Sequence, residues 1–242
     1  MKLLEPDQFP RLTESDCIHI QTELAMEIVQ SSALPLSAIN TVAGVDLAYW
    51  REGDVERAVC CIAVIDCNTR RVIETQHLPG TVCFPYIPGC LAFRELPLVI
   101  RTAAKLSLWP DVFIFDGNGI LHPRRMGLAT HASFYLNTPT IGVAKRYFKI
   151  ESARLSPPDR LAGSYSDITN NSEILGRALR THTDVRPVFV SVGNRMDIDT
   201  ATALSLGLTD RESHIPLPTR CADLETHRWR EEYKNARMSG EK

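Results

Sequence analysis

The sequence holds no run of eighteen apolar residues, no C-x-x-C pair and no excess of positive charge. Each absence removes a class of protein. Without a long apolar run there is no candidate membrane-crossing helix, and the opening MKLLEPDQFPRLTE meets acids and prolines too early for the apolar core of a signal peptide. A soluble, cytoplasmic protein is the expectation. The seven cysteines, at 17, 60, 61, 67, 83, 90 and 221, include an adjacent pair inside an apolar run. That spacing suits neither a metal knuckle nor a disulfide framework, so they read as reduced thiols. Lys and Arg total 27 against 29 Asp and Glu, a net charge of -2, so any contact with a polyanion has to use a local basic patch. There is also no H-E-x-x-H, Walker loop, G-x-S-x-G or dinucleotide fingerprint.

What is present suits a folded α/β chain: 44% hydrophobic and 23% charged residues over a length fitting one domain, 1–242. LTESDCIHIQTELAMEIVQSS reads as an amphipathic helix with Thr13 as N-cap and Asp16 three residues on. TVAGVDLAYW, ERAVCCIAVID and RVIETQHL read as a β-meander with a turn at Asp66 to Thr69. GCLAFRELPLVIRTAAKLSLW predicts a helix bent or restarted near Pro97. PDVFIFDG, RMGLATHASFYL and TPTIGVAK then follow as strand, helix and strand, which implies parallel pairing through a crossover. Two strands around SEILGRALR and RPVFVSVG, a helix capped at Asp197, and a charged tail from His227, expected to fray from about residue 228, complete the chain.

Two acids interrupt apolar strands: Asp46 inside VAGVDLAYW and Asp116 at the end of DVFIFD. A buried carboxylate is costly unless it is hydrogen-bonded, paired or bound to a metal. The first strand of the meander and the first strand after it can lie adjacent, which would bring both acids to one point. With Glu95 nearby this is an all-oxygen set, better suited to Mg²⁺ or Mn²⁺ than to zinc and serving metal-assisted phosphodiester hydrolysis. Asp223 in PTRCADLE is a fourth candidate, whose spacing equally fits a helix cap or an exposed helix carboxylate.

After Asp116, GNGILHPRRMG offers Gly117 and Gly119 for close backbone approach, His122 as an acid or orienting group, and Arg124 and Arg125 for phosphates. Lys145 ends a strand, and with Arg146, Lys149, Tyr147 and Phe148 it reads as a basic, aromatic strip. His131, on the apolar helix, reads as a satisfied core residue. The run FPYIP, Phe84 to Pro88, is apolar and stiffened by prolines, unlike a plain surface loop, so it is either packed under the fold or built to push into a partner.

AGVDLAYW, PYIPGCLAFRELP, DGNGILHPRRMGLATH, PTIGVAK and PTRCADLE, in that order over nearly the whole chain, resemble the endonuclease V family. The resemblance implies an RNase H-like mixed β-sheet flanked by helices. It also implies a Mg²⁺-dependent site, with Mn²⁺ able to substitute, that nicks DNA at the second phosphodiester bond 3′ to deoxyinosine. By motif, Asp46, Glu95 and Asp116 would be catalytic metal-binding carboxylates with Asp223 in the fourth acidic place, and His122 and Lys145 would complete the site. Pro85, Tyr86, Ile87 and Pro88 would form a wedge that enters the base stack, and Gly89, Leu91, Gly117 and Leu128 would line a pocket for the displaced base. Asn118 stands where many members have His, and Asp223 where some do. HPRRMG looks like the bacterial form, so a monomer acting on deoxyinosine-containing DNA is the expectation. Inosine-containing RNA, the substrate of another branch, and a catalytically silent binding module on the same fold are the alternatives; retention of four acids argues against the latter.

Overall fold

In the computed structural model, which describes residues 3–240, the N-terminal β-rich runs form the expected antiparallel meander. Strands β1 (Thr41–Glu52) and β2 (Val55–Asp66) pair from Thr41↔Asp66 to Glu52↔Val55, and β2 pairs β3 (Arg71–Thr81) with a bulge at Val64/Ile65. At the turn, Asp66 accepts from the Thr69 N–H at 2.7 Å and, through its carbonyl, from Arg70 at 2.8 Å. β2 is buried continuously from Ala58 to Ile65, so both its faces are covered and its sequence is a solid apolar run rather than an alternation.

β1 next pairs β4 (Val112–Phe115) in parallel, from Val42↔Val112 to Val45↔Phe115. Helix α3 (Leu128–Leu136) then leads into β5 (Thr140–Ala144), again parallel to β4. Beyond β5 the sheet turns antiparallel through β9 (Val188–Asn194), β8 (Glu173–Leu179), β7 (Tyr165–Asn170) and β6 (Arg154–Leu155), giving the order β3-β2-β1-β4-β5-β9-β8-β7-β6. β8 and β9 match the expected pair. β6 and β7 were not expected, because SYSDITN and ARLS are polar edge segments with no apolar run to mark them.

Helix α1 (Glu14–Ala25) starts on the predicted capping box: the Asp16 N–H bonds Thr13 Oγ1 at 3.2 Å and the Thr13 N–H bonds Asp16 Oδ2 at 2.8 Å. α2 (Leu91–Ala103) is one element with Pro97 inside it, not a pair of helices. Its apolar face, Phe93, Leu96 and Val99, packs on the sheet with Phe113 and Phe115, and this burial outweighs the one backbone hydrogen bond that proline removes. On the opposite face, Val42, Ile114, Ile141 and Val190 pack with α4 (Ile198–Gly207), whose cap is Asp197, accepting from the Thr200 N–H at 2.8 Å.

Where the sequence reads as a charged tail, α5 runs Leu217–Gly240, through His227 and beyond residue 228. Trp229 stacks on His77 with centroids 3.5 Å apart, and Tyr233 stacks on Trp50 at 6.3 Å. A stripe of rings thus docks a helix whose overall composition is polar, and Arg228–Glu232 at 3.1 Å lies along its exposed side. All seven cysteines are free thiols, and among the described residues no helix is long and apolar enough to cross a membrane.

Candidate active site

Val45 and Phe115 are register partners in parallel strands, so the next residue on each chain, Asp46 and Asp116, comes to the same level of the sheet. This is the adjacency expected from the two interrupted apolar runs. Asp223 arrives from α5, whose first turn presses on β1: a Cβ at Gly44 would lie 2.0 Å from the Pro218 carbonyl carbon, so only glycine admits the helix. One carboxylate oxygen from each of Asp46, Asp116 and Asp223 lies within 4.8 Å of the others. Lys145, just past the end of β5, places Nζ 2.8 Å from Asp116 Oδ2 and 3.3 Å from Asp223 Oδ1. Thr226, one helical turn after Asp223, donates its hydroxyl to Asp46 Oδ2 at 2.9 Å. Nothing in its sequence context marks that threonine; the i, i+3 offset from Asp223 is the only signal.

Burial pushes the Asp46 carboxyl up to about 7, with the charges of Asp116 and Asp223 adding to it while Thr226 and Lys145 pull the other way. Glu95, buried on α2, is also raised to about 7 by burial, against the lowering effect of the Tyr49 hydroxyl that donates to it at 2.6 Å, and with Asp46 and Asp116 adding their repulsion. Glu95 stands outside the close group of three carboxylates but within its field. For Lys145, burial works against the charge, but its two carboxylate partners outweigh that and hold it above the ordinary lysine range. Three clustered carboxylates around one ammonium, with Glu95 nearby, form a set of hard oxygen donors, which is the donor set a divalent cation of the Mg²⁺ type takes.

His122 is fixed as a neutral imidazole. Its Nδ1 accepts from the Arg124 N–H at 3.2 Å, so Nε2 carries the proton and donates to the Gly89 carbonyl at 3.1 Å. Burial, reinforced by Arg124, lowers its pKa to about 4. This favours the orienting role over the acid role, because a ring tied at both nitrogens and neutral at pH 7 is a poor proton donor. Arg124, expected at phosphates, turns inward instead: Nε donates to Gln21 Oε1 at 2.6 Å and Nη2 to the Gly89 carbonyl at 2.9 Å. Arg125 pairs with Glu173 at 2.7 Å.

Gly117 and Leu128, two expected pocket positions, meet: a Cβ on Gly117 would touch the Leu128 side chain at 3.7 Å. Leu91, half-buried, opens α2. Gly119 is a correction. It is buried, its N–H bonds Ser191 Oγ at 2.7 Å, and a Cβ there would strike the Val192 carbonyl, so it lets the chain cross β9 rather than approach a ligand. In the proline loop, Phe84 is buried against Phe93 with centroids 5.9 Å apart, whereas Tyr86 is 71% exposed with Pro85 and Pro88 exposed beside it. The loop is therefore both alternatives at once: anchored by Phe84 and projecting at Tyr86. In the strip after Lys145, Arg146 and Lys149 are exposed, but Tyr147 packs on Phe189 and Phe148 on His122, so its rings face inward rather than forming a stacking surface.

His131 is also corrected: it is buried among Phe9, Phe93 and Tyr135, but neither ring nitrogen has a hydrogen-bond partner among the described residues.

The profile of the Endonuclease V family matches residues 22–224. The chain is 48% identical over 227 residues to the endonuclease V of Bacillus subtilis, covering 94% of this chain and 95% of that one. The solved structure of a B. subtilis endonuclease V superposes with a TM-score of 0.91 at 47% identity, covering 98% of this chain and 100% of that one. An endonuclease V from Ciona intestinalis, solved in complex with a 24mer DNA containing an inosine followed by a ribo-adenosine, matches at 28% identity and a TM-score of 0.80, with coverage of 89% and 96%. The mixed sheet flanked by helices is the RNase H-like fold of these nucleases, and the chain belongs to the endonuclease V family.

Proposed function

We propose that this nuclease is a divalent-metal-dependent repair enzyme that nicks DNA at the second phosphodiester bond 3′ to deoxyinosine, working as a single-domain monomer in the cytoplasm. The observation that carries the reading is the convergence of Asp46, Asp116 and Asp223 within 4.8 Å, set by the β1/β4 register and the docking of α5. The Ciona intestinalis relative bound to inosine-containing DNA supports the substrate class. Asp46, Asp116 and Asp223, with Glu95 beside them, would hold the ion. Bound there, Mg²⁺ or Mn²⁺ supplies Lewis-acid stabilisation of charge on the scissile phosphate. Lys145, anchored on Asp116 and Asp223, adds a fixed positive charge where the phosphate's negative charge must be met. The missing side chain at Gly117, beside Leu128, would leave room for a base, and discrimination by backbone groups there would be moderate, each amide bond being worth about 1 kcal/mol.

The test is a labelled duplex with one deoxyinosine. A single nick at the second bond on the 3′ side, dependent on Mg²⁺ and stopped by chelator, is expected; equal cutting of the undamaged duplex, or none of either, overturns the proposal. A matching inosine RNA separates the ribonuclease alternative.

Exposed Tyr86, held out between two prolines, is placed to fill the gap left by an extruded base. Stacking there is worth roughly 1–3 kcal/mol, so Tyr86→Ala weakens binding to inosine in a stable duplex by about ten- to a hundredfold, and less in a flexible single strand. Melting temperature stays unchanged. A lowered melting temperature with equal losses on both substrates would instead place the ring in the core.

A further inference from the structure

Three buried or half-buried side chains from two distant segments converge on one backbone carbonyl at the end of the proline loop. The Gly89 oxygen accepts from Gln21 Nε2 at 2.9 Å, Arg124 Nη2 at 2.9 Å and His122 Nε2 at 3.1 Å. Gln21, from α1, is fully buried and its orientation is unambiguous: Oε1 faces Arg124 Nε, which can only donate, so Nε2 faces the carbonyls of Gly89 and Met126. Gly89 has φ +78, and a Cβ there would meet Arg124 Nη2 at 2.7 Å. A side chain at this position is therefore excluded twice, by backbone conformation and by the guanidinium.

A carbonyl has two lone pairs, and three donors on one oxygen are more than its satisfaction requires. The rest of the loop is treated in the opposite way. Among the described residues no side-chain hydrogen bond reaches Pro85, Tyr86 or Pro88, and the other end is held through Arg94, which donates to the Phe84 carbonyl at 2.7 Å. The loop is thus fastened at its two ends, with Ile87 packed on the core and its carbonyl accepting from the Cys90 N–H at 2.9 Å, while Pro85, Tyr86 and Pro88 project. His122 and Arg124 lie six and eight residues after Asp116 on the same excursion from β4. The fastening consequently ties the Tyr86 loop to the segment that carries Asp116.

We propose that Gln21, Arg124 and His122 are positioning residues for lesion recognition, which clamp the Gly89 carbonyl and so hold the Tyr86 loop in register with the carboxylate site. The proposal rests on the inosine-directed reading above. Arg124 acts through Gly89 rather than on a phosphate, and Gln21, which is fully buried, acts only in this way.

The experiment compares the wild-type protein with Gln21→Met, Arg124→Met and Arg124→Lys. It measures affinity for inosine-containing and undamaged duplexes, melting temperature, and amide exchange over residues 84–91. The expected result is faster exchange in the loop and a roughly tenfold weaker grip on the inosine duplex for Gln21→Met and Arg124→Met, with the undamaged duplex nearly unaffected. Arg124→Lys keeps the charge but not the fork, and loses nearly as much. If Gln21→Met does not fold, Gln21→Glu serves, since it keeps the Arg124 contact and removes the donor to Gly89.

Equal losses on both duplexes for the Arg124 variants, with Gln21→Met neutral, would make Arg124 a phosphate contact and overturn the clamp. A lowered melting temperature with unchanged exchange and unchanged preference for inosine would reduce the three residues to packing and also overturn it. A wild-type protein without preference for inosine refutes the functional reading itself. A wild-type preference that the variants retain refutes the clamp alone.

Discussion

Asp46→Asn abolishes cleavage and at the same time raises the melting temperature of the metal-free protein above pH 7. The two effects share a cause. In the fold the Asp46 carboxyl is pushed up to about 7 by burial and by the charges of Asp116 and Asp223, whereas an unfolded aspartate titrates near 3.9. A raised acid stabilises the fold while protonated, and that contribution is lost as pH climbs from about 4 through about 7. The amide has nothing to lose over that interval, so the stability gap between variant and wild type widens with pH up to about 7 and then levels. Divalent metal reverses the order, stabilising the wild type by binding the native state and leaving the variant nearly unmoved. Loss of a carboxylate that positions the ion costs several kcal/mol in the transition state, about a thousandfold or more in rate. Thermal melts in chelator and in Mg²⁺ at pH 5.5 and 8, alongside cleavage assays, check this. Parallel melting curves, or wild-type turnover by Asp46→Asn at saturating Mg²⁺, would remove Asp46 from the site.

His131→Phe makes the protein more resistant to acid. Burial, with His122 adding, lowers the wild-type imidazole to about 3, far below the 6.5 of an exposed histidine. The neutral ring therefore contributes stability above about pH 6.5, which is lost as pH falls toward 3 because the unfolded chain takes up the proton first. At pH 5 the loss is about 2 kcal/mol, equivalent to roughly 4–8 °C in a chain of this size. Phenylalanine has no proton to bind and no unpaired ring nitrogens in a pocket already made of Phe9, Phe93 and Tyr135. Melting temperatures at pH 7.5 and 5 measure the difference, and an equal acid shift in both proteins would contradict the assignment.

The parts of the fold legible in the sequence were those where packing writes itself into hydropathy. The apolar runs of β1 and β4, each marked by one aspartate, pointed to adjacent strands and to the meeting of Asp46 with Asp116, and the strand-helix-strand succession pointed to the parallel pairing of β4 with β5. Thr13 and Asp16 predicted where α1 starts, because a capping box needs only local residues. Long-range contacts left weaker traces. Asp223 was a candidate whose spacing suits an ordinary helix carboxylate equally well, and only the resemblance favoured the site, since its neighbours there come from β1, β4 and β5. Thr226 and Gln21 were invisible for the same reason: a polar residue on a helix looks solvated until the helix is docked. The contacts of Arg124 were not legible because an arginine beside a glycine-rich turn near an acid suits an anion, and only the fold turns it toward Gly89. The length of α5 was hidden by charge: Trp229 and Tyr233, at i and i+4, share one face, but two rings in a polar sequence do not announce a docked stripe.

The close approach of Pro218 to Gly44 also sets an order in time. Asp46 and Asp116 are in place once β1 and β4 have paired, but the third carboxylate and the hydroxyl that bonds Asp46 both ride on the last helix of the chain. Roughly a hundred residues separate Asp116 from Asp223, which at ~5–20 residues per second is several seconds of synthesis. A ribosome-bound chain that has not yet released α5 therefore lacks one of the three clustered carboxylates, and the acidic cluster is complete only when α5 docks on β1.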